Sequence, residues 1–266
     1  MQNSHGIIII SDLDGCLLDH HSYRFEPACP ALARLRANAI PLVLNSSKTA
    51  AEIGDIRAAL GVEDPYAVEN GSALIIPRVE RGTEVMRLGV ERARILDELA
   101  NIRRQTAYRF TSFADMRVAE VMAATGLSEA EALRAMRREY SEPLLWDGSQ
   151  AELEDFSRRL RQVGLQLSAG GRFLHVCGPA DKGTATALVR DYYADAWHRA
   201  PKLIALGDGA NDLPMLRRAD IAFLIRSPVN RLPDGIEDSF MISQDTGPVG
   251  WNACVMGILD RLGLTR

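Results

Sequence analysis

The first strong pattern in the chain is Ile7-Ile8-Ile9-Ile10, a β-branched run with no polar alternation. Such a run suits a strand buried on both faces of a parallel sheet. Helical spacing follows over Pro30–Ala39. Pro41–Leu44 then reads as a second buried strand, Thr49–Leu60 as a helix closed by Gly61, and Tyr66–Val68 as a third strand. The same rhythm returns late in the chain. Lys182–Tyr193 predicts a helix, Lys202–Leu206 a strand, Asp212–Arg218 a helix and Ile221–Ile225 a strand. Strands and helices alternating at this pace predict right-handed crossovers and a doubly wound, Rossmann-like α/β core.

Between these two blocks the pattern changes. Arg-rich helical stretches, Glu91–Gln105 and Ser128–Arg138, alternate irregularly with strand-like Tyr108–Phe113 and Leu144–Trp146. Leu165–Ser168 and Phe173–Cys177 read as a strand pair turned at Gly170-Gly171. The expected organisation is a core of residues 1–82 and 179–266 with an α+β module inserted at 83–178.

Composition narrows the class. The 266 residues are 47% hydrophobic and 25% charged, with a formal net charge of -4, an ordinary globular balance that gives no reason to expect nucleic-acid or membrane partners. Cys16, Cys29, Cys177 and Cys254 show no C-x-x-C spacing, so a zinc or dithiol site is not expected. No apolar run reaches the roughly 18 residues that a membrane span needs. A cytoplasmic protein with reduced thiols is the expectation. Its oligomeric state is not legible.

Candidate chemistry lies just after the predicted strands, at their carboxyl ends, where open α/β sheets bind ligands. Ser11-Asp12-Leu13-Asp14-Gly15 follows the first strand, and Gly207-Asp208-Gly209-Ala210-Asn211-Asp212 follows strand Lys202–Leu206. Either loop alone could be a turn plus a helix cap. Two acidic loops together favour a hard cation, because clustered carboxylates repel unless a metal relieves them. Asn45-Ser46-Ser47-Lys48-Thr49 and Asp181-Lys182-Gly183 both open helices. There a hydroxyl, a cation and backbone N–H groups can hold phosphate, although a plain N-cap and a solvated lysine are the simpler readings.

In this order the four segments resemble the haloacid dehalogenase superfamily of phosphohydrolases, over the whole chain. The resemblance implies that Asp12 is a nucleophile forming an aspartyl phosphate, and that Asp14 protonates the leaving oxygen and then activates water. It implies Mg²⁺ held by Asp12, the Asp14 carbonyl, Asp208 and Asp212, with Ser46 and Lys182 on the transferring phosphoryl group. Cys16 stands where that family usually carries Thr.

Shorter matches are similar to mannosyl-3-phosphoglycerate phosphatases: Asp19-His20-His21-Ser22-Tyr23, Ser46-Ser47-Lys48-Thr49, Glu69-Asn70-Gly71 and Gly170-Gly171-Arg172-Phe173-Leu174-His175. The inserted module then corresponds to a substrate-selecting cap. Lys48, Arg172 and His175 are the expected cations for the glycerate carboxylate. Glu69, Asn70, Asn211 and Gln244 are the expected polar contacts. Individually each has a simpler reading: Asn70-Gly71 as a tight turn, His175 as a core residue, Arg172 as a hairpin ornament. The expected partner is a small phosphorylated glycoside. Another sugar-phosphate phosphatase, a phosphomutase and a phospho-acceptor signalling domain are the alternatives.

Overall fold

The protein is described from a computed structural model covering residues 5–78, 82–170, 173–229 and 231–264. Among these residues the strands form two sheets. The larger one runs in the order β12-β11-β10-β1-β2-β3-β4-β5. Its members are β1 (Ile7–Ser11), β2 (Leu42–Asn45), β3 (Tyr66–Val68), β4 (Ala73–Arg78), β5 (Gly82–Arg87), β10 (Lys202–Gly207), β11 (Ile221–Arg226) and β12 (Met241–Thr246). Pairing is parallel from β12 to β3 and antiparallel from β3 through β5.

Strand β1 explains why four isoleucines stand in a row. Ile7 and Ile9 point into one hydrophobic layer with α1 (Cys29–Ala37), α2 (Ala50–Leu60) and α9 (Gly247–Arg261). Ile8 and Ile10 point into the other, with α7 (Lys182–Trp197) and α8 (Leu213–Leu216). A strand sandwiched this way has no solvated side, so alternation disappears. The expected doubly wound α/β fold is the one observed.

The smaller sheet is antiparallel, in the order β6-β7-β9-β8: β6 (Phe110–Ser112), β7 (Ser141–Trp146), β8 (Gln166–Gly170) and β9 (Phe173–Cys177). Helices α3 (Arg92–Gln105) and α6 (Gln150–Gln162) cover one face through Ile95, Leu99, Leu144, Phe156, Leu160 and Val176. A satellite core around Phe113, Val121, Ala132 and Ala135 joins α4 (Val118–Thr125) and α5 (Glu129–Ala135). Gly170 pairs with Phe173, and Gly171 of the expected turn lies outside the described residues.

The expected start of the inserted module, Thr83, falls inside a strand. β5 pairs with β4 along its whole length and so extends the large sheet. The chain passes to the smaller sheet later, at Leu88–Glu91, where the N–H groups of Leu88 and Gly89 donate to Ser72 O. It returns beside Val90, which a Cβ at Gly178 would meet at 2.8 Å.

Candidate active site

Asp12 is the first residue beyond β1, its N–H donating to Leu206 O at the end of β10 (2.9 Å). This sets the first acidic loop beside the second. Asp14 follows on the same loop. Gly15 adopts φ +78°, and a Cβ there would sit 2.6 Å from Asp208 Oδ2. Only glycine permits both the left-handed turn and the close approach of the loops.

The carboxylates of Asp12, Asp208 and Asp212 converge, with one oxygen of each within 4.8 Å of the others, and all three are buried. Asp212 serves two purposes. Its Oδ2 accepts the N–H groups of Asp208 and Gly209 (2.9 Å each), closing the loop. Its Oδ1 receives Lys182 Nζ at 2.5 Å. Lys182 also donates to Asp12 Oδ1 at 2.6 Å. Its side chain is fully buried, so it is not the solvated lysine that its position at a helix start allowed.

Charge balance decides the protonation states. Burial and the Asp212 carboxylate push Asp12 up to about 7, while Lys182 pulls it back. Burial works against the Lys182 ammonium, but Asp12 and Asp212 hold it above the ordinary lysine range. Three buried carboxylates facing one ammonium leave net negative charge, which fits a divalent cation with oxygen ligands.

The remaining expected residues fall into two groups. Ser46 is fully buried beyond β2, its Oγ accepting from Lys48 N (3.3 Å). The α2 cap is Thr49, whose Oγ1 accepts Glu52 N while Glu52 returns to Thr49 N. Ser46 and Ser47 are therefore not the plain N-cap. Lys48 Nζ stands 3.0 Å from Asp14 Oδ1 and 4.7 Å from the Tyr23 ring centre. Asn70 is buried, and its Oδ1 accepts from Asn211 Nδ2 (3.2 Å). All these lie just beyond the carboxyl ends of β2, β3 and β10.

The second group lies elsewhere. Glu69 is buried, but its carboxylate turns to the smaller sheet. It accepts Glu139 N (2.8 Å), Tyr140 N (3.2 Å) and Ser141 Oγ (2.5 Å). Both oxygens of this expected polar contact are therefore engaged by the smaller sheet. His175 is buried on β9, opposite Pro143 and Ser168. Gln244 is exposed on β12. Arg172 lies outside the described residues.

Two supporting residues escaped the sequence. Asn45 Nδ2 donates to Lys182 O (2.9 Å), fixing the start of α7. Trp251 is fully buried, and its Nε1 donates to Ser11 Oγ (2.9 Å), which donates to Asp12 O (2.6 Å). Nothing in one sequence marks such long-range pairs. Cys16 is also fully buried, and burial and Asp12 push its thiol up.

Known proteins resemble this chain along its length. A family model described as haloacid dehalogenase-like hydrolase matches residues 9–117. Two proteins named glucosyl-3-phosphoglycerate/mannosyl-3-phosphoglycerate phosphatase align with it. The one from Persephonella marina is 32% identical, covering 96% of this chain and 98% of that protein. The one from Methanococcoides burtonii is 34% identical, covering 96% and 97%. Among solved structures, a Thermoplasma acidophilum protein superposes with a TM-score of 0.70 at 16% identity, covering 97% of this chain and 99% of that one. A Bacteroides thetaiotaomicron phosphatase of the haloalkanoate (HAD) superfamily reaches 0.68 at 21%, covering 99% and 98%.

Proposed function

The chain belongs to the haloacid dehalogenase-like hydrolases, and on that premise we propose that it dephosphorylates mannosyl-3-phosphoglycerate, yielding mannosylglycerate and phosphate. The carrying observation is the buried Lys182 bridge between Asp12 and Asp212, set against the Asp208 loop. The names of two relatives at 32% and 34% identity support the substrate class. Those names join two sugars, which favours the glucosyl compound as a second substrate.

The reaction divides into two displacements. Asp12 attacks phosphorus. The bond to the leaving oxygen breaks, and Asp14 gives that oxygen a proton. Asp14 then takes a proton from water. The hydroxyl attacks phosphorus, the bond to Asp12 breaks, and inorganic phosphate leaves. Lys182 opposes the burial that raises the Asp12 carboxyl and offsets charge on the transferring group. Ser46 and the nearby backbone N–H groups hold the phosphoryl oxygens. Asp12, Asp208 and Asp212 would hold Mg²⁺, which supplies positive charge against those oxygens.

The smaller sheet serves as the cap, excluding bulk water from the site. Arg138 Nη1 of this unit donates to Ser47 O (3.1 Å), and Thr49 Oγ1 donates to Arg134 O (3.0 Å). Among the described residues no helix is long and apolar enough to cross a membrane, and we assign the protein to the cytoplasm.

The deciding experiment is phosphate release with Mg²⁺ from mannosyl-3-phosphoglycerate, glucosyl-3-phosphoglycerate, mannose-6-phosphate, sucrose-6-phosphate and 3-phosphoglycerate. A lead of about tenfold in kcat/KM for a glycosyl-phosphoglycerate, about 1.4 kcal/mol, supports the reading. A flat panel would refute it.

A further inference from the structure

A cavity of about 220 Å³ opens at the seam of the two units, beside the Asp14–Lys48 pair. The loop after β1 contributes Tyr23 and Phe25, α2 contributes Glu52, and the α4–α5 segment contributes Leu127, Glu131 and Arg134. Pockets for drug-sized ligands run to roughly 300–1,000 Å³, so this volume suits one small ring. An aromatic face with carboxylates around an apolar floor is the chemistry that binds a sugar: ring C–H groups stack, and hydroxyls donate.

We propose that this cavity is the glycosyl subsite, with Tyr23 as its stacking platform and Glu131 as a hydroxyl acceptor. The inference rests on the substrate class proposed above and deepens it. The branching of the substrate matches the layout of the protein. The phosphoryl group lies at Asp12 and the leaving oxygen at Asp14. Beyond that oxygen the glycerate C2 carries both the carboxylate and the glycosyl ring. Lys48 Nζ stands beside Asp14 to receive the carboxylate, and Lys48 also lines the cavity, over the Tyr23 ring, where the glycosyl branch enters.

The walls are held in place. Tyr23 is 43% exposed and sits at φ 56°, a left-handed conformation that a bulky aromatic adopts only under constraint. Asp19 supplies the constraint, accepting Tyr23 N through its carbonyl and His21 N, Ser22 N and Ser22 Oγ through its carboxylate. Glu131 Oε2 is fixed by Ser128 N and Oγ (2.9 and 2.6 Å). Arg134 is paired with Asp55 of α2 (3.1 Å) and stabilises the seam. Because both units build the cavity, sugar recognition and cap docking are one event. Glu69, engaged by the cap backbone, is not needed for the sugar.

The test is kinetic, on Tyr23→Ala, Tyr23→Phe and Glu131→Gln, with Mg²⁺ present. The substrates are mannosyl-3-phosphoglycerate, 3-phosphoglycerate and an aryl phosphate. The quantity read is kcat/KM on the glycosyl substrate divided by that on 3-phosphoglycerate. Tyr23→Ala and Glu131→Gln should each lower this ratio about tenfold, the scale of one pocket contact, and Tyr23→Phe should restore it. An unchanged ratio, with wild-type enzyme active on the glycosyl substrate, would overturn the subsite and leave the substrate reading standing. Wild-type enzyme active on the aryl phosphate but not on the glycosyl substrate would overturn both.

Discussion

Ser141 Oγ donates to Glu69 Oε2 at 2.5 Å, joining the first residue of β7 to the loop that follows β3. Glu69 is also tied to the loop that follows β2, its N–H donating to Lys48 O (3.0 Å), and Asn70 N donates to Ser46 O (2.9 Å). Glu69, Asn70 and Gly71 all have positive φ, and a Cβ at Gly71 would stand 2.2 Å from Asp181 O. A strained, crowded turn thus registers cap against core. Glu69→Gln puts an amide NH₂ at one of two oxygen positions, each of which already receives at least one backbone N–H. The expected cost is about 1–3 kcal/mol for the buried group left unsatisfied, read as a lower urea midpoint. An unchanged midpoint would mean that the carboxylate holds nothing.

Lys182 is the counterpart inside the core. Lys182→Met preserves bulk and removes the charge, leaving Asp12 and Asp212 facing each other. Breaking a buried pair in this way costs about 3–5 kcal/mol. Both turnover and denaturation midpoint should fall, with added Mg²⁺ recovering part of the stability. Asp12→Asn should fold and abolish turnover; a variant near the wild-type rate would remove Asp12 as nucleophile.

Metal dependence can be read without activity. Adding Mg²⁺ to cation-free protein should raise Tm, because a ligand that binds only the folded state stabilises it. Asp208→Asn, which removes one carboxylate of the triad, should weaken that rise at equal Mg²⁺. Equal rises in both proteins would exclude Asp208 from the site.

Asp115 gives the smaller sheet an acid limit. Arg103, with Ser112, lowers its carboxyl to about 2. Arg103 Nη1 donates to Oδ1 at 2.9 Å, and Ser112 N and Oγ donate to Oδ2 at 2.8 Å. A depressed carboxyl adds stability that is fully present above its unfolded value near 4 and is lost as pH falls through about 2. Asp115→Asn should flatten the unfolding midpoint across that window and leave it unchanged in slope above about pH 5. The same acid profile in both proteins would remove Asp115 from the account.

Periodicity made the central strands legible, because β1, β2, β10 and β11 are buried on both sides and read as apolar runs. β12 reads MISQDT, without a run or strict alternation, and its place is set by pairing with β11. β5 is mostly exposed and polar, so it looked like the inserted module. In the site, residues sharing a loop were legible together: Asp12 with Asp14, Asp208 with Asp212. A lone sequence shows the Glu69 carboxylate but not its partners, which lie 70–72 positions away. The cavity at Tyr23 was hidden for the same reason, its walls coming from distant segments.

The bond from Trp251 to Ser11 spans 240 positions, and β1 pairs on one side with β10. Synthesis at roughly 5–20 residues per second therefore leaves the isoleucine strand waiting roughly ten to fifty seconds for its last partners. Through that interval the Asp12 loop lacks its β10 and α9 partners. An uncharged β-branched strand with its β10 edge unpaired meanwhile stays open to self-association. A ribosome-stalled product ending before α9 should accumulate as a chaperone client, not as a slow enzyme.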